Sequence, residues 1–385
     1  MTAQAEVAEG DTEAPRPRRS GVRAAAMAVW VAAIALWWWR FGIPNDSLTV
    51  MITLWVGTIA WNIEAHPRHH LNFLKDWWFP AALLTFYFFS RGLTDELGIP
   101  VHWTMPIDAD RWLGFGTTPT ELLQDAWCGD PCTRDSDPRW YDVLFTSVYA
   151  THFLTGLTIA GVLWIRNHDE WQVWMRRFIG LNFGGLVIYV AYPMAPPWLA
   201  AEEGLMGPVE RLTSRGWRDI GLQRVDVILN GVGNPTAAMP SLHFGTAFLI
   251  ALYAIWRWRS PWRWALLVYP TVMGLVLVYY GEHYVVDLIA GGALAWLVMV
   301  LARWWEKRRG GPVDDHPPGP GGRDRRTSLT GPFYLSVASG QPTRKRGRPD
   351  AAGAVRRGPE VPRGDAHVLH HRGLRGDPPD SDRGA

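Results

Sequence analysis

The chain has 385 residues, of which 19% are charged and 13% aromatic, including 24 tryptophans, whereas a soluble globular protein carries roughly 25% charge. Its formal net charge of +2 averages two unlike parts, because 16 Lys and Arg against 10 Asp and Glu lie from Glu306 onward and leave an apolar, net acidic body before it. This argues against a soluble enzyme, against a nucleic-acid binder over the main body and, with only Cys128 and Cys132, against a disulfide-built scaffold.

A polar, basic N-terminal segment, residues 1–22, precedes eight apolar stretches. Each is long enough for a helix to cross a hydrocarbon layer about 30 Å thick, where only an internal hydrogen-bond ladder satisfies the backbone. They run at about 23–40, 47–65, 78–98, 140–165, 178–195, 240–257, 262–281 and 283–305. The first ends in Trp37-Trp38-Trp39-Arg40 rather than a small-residue cleavage site, and reads as a retained anchor. The expected fold is an all-α integral membrane protein of about eight transmembrane helices. Residues 23–77 would form two accessory helices, 78–305 a membrane-embedded domain, and 306–385 a disordered basic tail rich in Gly, Pro, Arg and Asp.

Lys and Arg alternate between the connections so as to set an orientation. Arg16, Arg18, Arg19 and Arg23, then Arg68 and Lys75, then Arg166, Arg176 and Arg177, then Arg257, Arg259 and Arg263, and finally Arg303 and Lys307 to Arg309 fall on one side. This predicts a multi-pass protein of the cell (plasma) membrane with both termini cytoplasmic. Two long loops, an acid-rich 99–139 and a mixed 196–239, face outward. In the first, Cys128 and Cys132 flank Gly-Asp-Pro on the oxidising side and suit a small-loop disulfide better than a zinc site.

Ionisable residues at the ends of membrane spans point to function because burying them is costly. Met239-Pro240-Ser241-Leu242-His243 opens the sixth span, and Gly281-Glu282-His283-Tyr284-Val285-Val286-Asp287 opens the eighth. Both starts meet at the outer face. His283 and Asp287 are four residues apart, so one helical face lets the carboxylate hold one imidazole nitrogen and leave the other free. With His243 opposite, three readings stay open from spacing. The first is phosphoryl transfer, with His283 as nucleophile, Asp287 stabilising the charged ring and His243 as general acid and base, favoured by anion-binding helix N-termini. The second is polar helix caps, Ser241 and Asp287 among them. The third is a metal site on His243, His283 and Asp287.

Ala238-Met239-Pro240-Ser241-Leu242-His243 and Tyr280-Gly281-Glu282-His283-Tyr284-Val285-Val286-Asp287-Leu288-Ile289-Ala290-Gly291 resemble the second and third signatures of the type 2 phosphatidic acid phosphatase superfamily. Ala191-Tyr192-Pro193-Met194-Ala195-Pro196-Pro197-Trp198 is similar to the first signature of its inositol phosphorylceramide synthase-like branch. The motifs lie within 178–295, with softer similarity back to about Tyr87. The resemblance implies a six-helix phosphatase-type catalytic bundle within 78–305, working at the outer membrane surface. It implies metal-independent phosphoryl transfer through a phosphohistidine on His283, with no cofactor. It also implies a membrane lipid substrate, a polyol or lipid acceptor, and no nucleic acid.

The chain departs from the superfamily where phosphatases carry basic residues: Leu277 stands six before His283, and Val187 to Trp198 holds no Lys or Arg. A buried phosphate needs a cation. Arg91 is the first candidate, ahead of Arg215, Arg218 and Arg224. The substrate-binding set is therefore Ser241, Arg91, Tyr192 and, from a Tyr149/His152 pair that the branch shares, His152. His66, His69 and His70 cluster on the other side. The leading expectation is a headgroup phosphotransferase of inositol phosphate type. Its alternatives are a lipid or polyprenyl phosphate phosphatase and, from another class, a non-catalytic lipid-binding or transport protein.

Overall fold

Polar capping signals and apolar runs together divide this sequence into helices. The computed structural model describes residues 19–42, 47–93, 97–129, 131–133, 136–213, 215–219 and 234–309. Its helices are α1 (Arg19–Phe41), α2 (Ser47–Trp61), α3 (Pro67–Leu93), α4 (Thr104–Leu113), α5 (Pro119–Trp127) and α6 (Trp140–Arg166). They continue with α7 (His168–Ala191), α8 (Pro197–Glu202), α9 (Arg215–Asp219), α10 (Leu242–Arg257), α11 (Val268–Tyr279) and α12 (Val285–Arg308). A 3₁₀ helix, Pro261–Leu267, leads into α11. No strand occurs among the described residues, only isolated bridges that tie Met194 to His102 and Ala237. The protein is thus an all-α membrane protein. Gly21–Phe41, Trp140–Arg166, Pro261–Tyr279 and Val285–Arg308 are long and apolar enough to cross a bilayer, and Thr49–Trp61 and Leu242–Arg257 are shorter apolar helices.

Every predicted span overlaps a helix, but several boundaries move. Helix α3 starts eleven residues before the expected 78, taking in Lys75 and Asp76, so the expected division at residue 77 falls inside it. Asp76 is accommodated there because Trp164 Nε1 donates to it at 2.8 Å and His168 Nε2 lies at 3.1 Å. Helix α7 starts ten residues early because Asn167 caps it, its side chain accepting from Glu170 N. Arg177 is consequently no loop charge. It is fully buried and paired with Glu306, which also takes Arg176. The expected start of the tail at 306 lies in the last turn of α12. The rest of the tail, and residues 1–18, lie outside the described residues.

The stretch between α3 and α6 contains two helices of its own, α4 and α5. Thr118 and Glu121 form a capping box at α5, with Pro119 in the first turn. Cys128 and Cys132 are disulfide-bonded. Helix α10 packs against α6, α7, α11 and α12, while α2 and α3 lean on α6 and α7. Among the described residues there are three apolar clusters. One gathers Phe73, Trp77, Trp164, Trp171, Trp174 and Leu249, and a second gathers Phe145, Tyr149, Leu277, Tyr279, Tyr280 and Leu288. The third joins Met194, Ala238 and Tyr284, one residue from each motif, with Ile107 and Ala200.

Candidate active site

Ser241 ends an extended segment and caps α10, its Oγ accepting from Phe244 N at 3.3 Å. Its own N–H donates to the Asp287 carbonyl at 3.0 Å, which locks the start of α10 to the first turn of α12. This crossing is very close: a Cβ on Gly291 would stand 2.3 Å from the Ser241 carbonyl oxygen. Gly281, at φ +70, makes the turn before α12, where a side chain would press on Val209 and the Glu210 carbonyl. Both motif glycines therefore have a steric role in bringing the two helix starts together.

The geometry joins His243, His283, Asp287 and His152. The His243 and His283 ring centroids are 5.7 Å apart, and His152 lies 4.1 Å from His243. Tyr149 stacks on the other face of the cluster, 4.9 Å from His243. Asp287 Oδ2 lies 3.3 Å from His283 Nδ1 and accepts from Tyr284 N at 2.9 Å. His283 Nε2 is thereby left for other chemistry. Ser241, Asp287 and His283 are all buried. Among the described residues, His243 Nε2, His152 Nδ1 and Asp287 Oδ1 are buried without a hydrogen-bond partner, and all three belong to this one cluster.

Arg91, in the last turn of α3, is half-buried and close enough for its charge to act on His152, His243 and Tyr149. Tyr192 caps the end of α7, where its ring stacks on His102 at 3.7 Å, so its direct partner is His102. Arg215 does not serve the site. It is buried against Asp142 at 3.6 Å and donates to the carbonyls of Ser136 and Asp137 and to Cys128 Sγ. Arg224 and the side chain of Arg218 lie outside the described residues. Among the described residues no group of three or more His, Cys, Asp or Glu is arranged to hold a metal ion.

Two features were invisible in the sequence. Asp110, counted there only as an acidic loop charge, is fully buried, and its carboxylate accepts from Val285 N at 2.8 Å and Val286 N at 3.1 Å. It therefore occupies the N–H groups at the start of α12 that the sequence reading offered to an anion. The main-chain groups left for a phosphate are those at the start of α10. Burial, together with the nearby Asp287 charge, raises the Asp110 pKa to about 6 against the pull of the two N–H groups. The second is Arg211, which pairs with Glu282 next to His283. No local pattern marks either residue, since both act through partners 71 or more positions away.

The model of the PAP2 superfamily matches residues 131–301, which hold all three motifs. The inositol phosphorylceramide synthase catalytic subunit aur1 of Schizosaccharomyces pombe is 32% identical over 216 residues, covering 53% of this chain and 49% of the relative. The inositol phosphorylceramide synthase of Candida albicans is 29% identical over 136 residues, 32% of this chain and 27% of the relative. A phosphoinositol dihydroceramide synthase of Bacteroides thetaiotaomicron is 28% identical over 132 residues, 31% of this chain and 42% of the relative. The chain thus spans about half, or less, of the length of the curated relatives it matches. No solved structure matches it. Residues 131–301 are thus similar to the PAP2 superfamily, and the curated relatives that share this region are inositol phosphorylceramide and phosphoinositol dihydroceramide synthases.

Proposed function

We propose that this protein is a membrane-embedded headgroup phosphotransferase that moves a polar phosphate group, of inositol phosphate type, from a phospholipid to a hydroxyl acceptor. The observation that carries the proposal is the buried His243–His283–Asp287 cluster, with an unpartnered imidazole nitrogen on one ring and a carboxylate bracing the other. The named synthases among its relatives support the substrate class.

In the first step His283 Nε2 attacks phosphorus and the bond to the leaving oxygen breaks. His243 gives that oxygen its proton. Asp287, on the Nδ1 side, keeps the attacking nitrogen unprotonated at the outset and offsets the imidazolium charge afterwards. In the second step the acceptor hydroxyl gives its proton back to His243, its oxygen bonds to phosphorus and the N–P bond breaks. Ser241 Oγ, whose hydrogen is not committed by the cap, and Arg91 bind the phosphate. Tyr192 and His152 line the headgroup pocket. The chemistry needs no metal and no cofactor, and full activity is expected in excess chelator. The site faces outward from a plasma membrane, both termini are cytoplasmic, and eight helices cross. Helices α3 to α12 form the catalytic domain, behind α1 and α2 as accessory helices.

The test is purified protein with radiolabelled phospholipid, with and without candidate polyols and lipid alcohols, beside His283→Ala. A new headgroup lipid absent from the mutant is expected. A water-soluble phosphate product alone, free phosphate from a lipid phosphomonoester or the headgroup phosphate from a diester, would make the protein a hydrolase of the phosphatase kind, and wild type indistinguishable from mutant would make it a lipid binder. Activity lost on chelation and restored by zinc would replace the phosphohistidine with a metal site.

A further inference from the structure

Arg211 lies in the segment between α8 and α9, outside every motif, yet its placement is tightly specified. Glu210 N donates to Gln124 Oε1 at 2.9 Å, while Gln124 Nε2 donates to the carbonyls of Glu210 and Tyr279 at 2.7 and 2.9 Å. On the other side, Leu212 N donates to the Tyr280 carbonyl at 3.2 Å. Helix α5 and the end of α11 therefore hold both chain neighbours of Arg211.

The guanidinium so positioned meets Glu282, with Nε at 2.5 Å from Oε1 and Nη2 at 3.3 Å from Oε2, and Thr213 Oγ1 donates to the same Oε1. It lies 4.7 Å over the ring of Trp198, and the backbone N–H of Trp198 donates to the Gly281 carbonyl. Arg211 thus stands where the Trp198 end of the first motif touches the start of the third. Its charge, like that of Arg91, acts on His243 and Tyr149.

The charge balance gives this position a use. The site contains the carboxylates of Asp287 and Glu282, and a phosphate adds further negative charge in a buried setting. Val187 to Trp198 holds no Lys or Arg and Leu277 stands six before His283, while Arg215 is committed elsewhere. A guanidinium in a two-point pair with a carboxylate already has the geometry that fits two phosphate oxygens.

We propose that Arg211 is a phosphate-binding residue of this site, with Glu282 as the carboxylate that holds the guanidinium in place and yields it to an incoming phosphate. The proposal rests on the phosphoryl-transfer reading and adds a residue to it. It separates cleanly from a purely structural ion pair. In a structural pair, removing either partner weakens the site in the same direction. In a phosphate clamp, removing the cation weakens anion binding and removing the competing carboxylate strengthens it.

Orthovanadate, which mimics phosphate at a nucleophile, is the probe, and its binding to detergent-solubilised full-length protein is read by titration. Loss of one charge-assisted, two-point contact predicts binding about 10- to 100-fold weaker in Arg211→Ala, with part of it retained in Arg211→Lys. Glu282→Gln should bind vanadate more tightly than wild type. Unchanged vanadate binding in Arg211→Ala overturns the proposal, as does parallel weakening in Arg211→Ala and Glu282→Gln. Transfer measured on the same samples separates the two readings. Arg211-dependent vanadate binding by a wild type that transfers and hydrolyses nothing supports the anion site and counts against the enzyme. An active wild type with Arg211-independent binding counts against Arg211 alone.

Discussion

His243 sits between rings, with Tyr149 stacked 4.9 Å away, His152 at 4.1 Å and His283 at 5.7 Å. Such a cage fixes an imidazole by packing and leaves its Nε2 uncommitted, which suits a group that must give and take one proton. Asp287 does the opposite for His283 by fixing one nitrogen. If the carboxylate sets the tautomer, Asp287→Asn should fold normally and lose transfer by roughly 10²- to 10⁴-fold. A loss that small molecule bases such as imidazole do not restore, in protein that still elutes as wild type, is the expected readout. Asp110 adds a pH dependence. Its folded pKa, raised to about 6, exceeds the ordinary carboxylate value of 3.8, so the folded state holds the proton more tightly. The stability it contributes is present below about pH 4 and is lost as pH rises through about 6. Wild type minus Asp110→Asn, compared by thermal unfolding in detergent, should therefore fall between pH 4 and pH 7. The capping of α12 runs the other way, because only the ionised carboxylate accepts from both Val285 N and Val286 N. Transfer by wild type should weaken on acidification below about 6, a step that Asp110→Asn lacks.

The crossing of α10 and α12 determines whether those residues meet at all. With the Ser241 carbonyl 2.3 Å from where a Gly291 Cβ would be, Gly291→Val must push the helix starts apart. Overpacking of this kind costs about 1–3 kcal/mol, and a drop in thermal stability with larger proportional loss of transfer is expected. At this scale much was legible in the sequence. Apolar runs of helix length located all the long helices, and the i, i+4 spacing of His283 and Asp287 foretold their contact. Motif order foretold that two helix starts would converge. Boundaries were less legible, because α3 and α7 begin in polar turns whose cost is met by distant partners, Asp76 by Trp164 and Arg177 by Glu306. Asp110 and Arg211 were illegible for the same reason: a loop carboxylate or guanidinium gains its role only when another element is packed against it.

Among the described residues, the helical bundle has two polar ends of different character. Beyond the motif end, α7, α10 and α12 are tied by Arg176 and Arg177 to Glu306, and by Arg257 and Tyr253 to Glu170. Arg177 is fully buried, so Glu306→Ala would strand its charge at a cost of about 3–5 kcal/mol, visible as a large drop in thermal stability with the motif cluster untouched. This ionic lock and the Arg-rich connections mark the end we assign to the cytoplasm, and the disulfide-bearing α4–α5 region marks the end we assign to the outside. Cysteine labelling tests the assignment directly, because Cys128 and Cys132 are bonded to each other and supply no background thiol. Thr117, in the turn between α4 and α5, and Arg259, between α10 and the 3₁₀ helix, are both exposed and polar positions. A membrane-impermeant maleimide should label Thr117→Cys in intact cells and Arg259→Cys only after permeabilisation. The reverse pattern would turn the protein over and put the histidine cluster on the cytoplasmic side, where a headgroup donor of the outer leaflet cannot reach it.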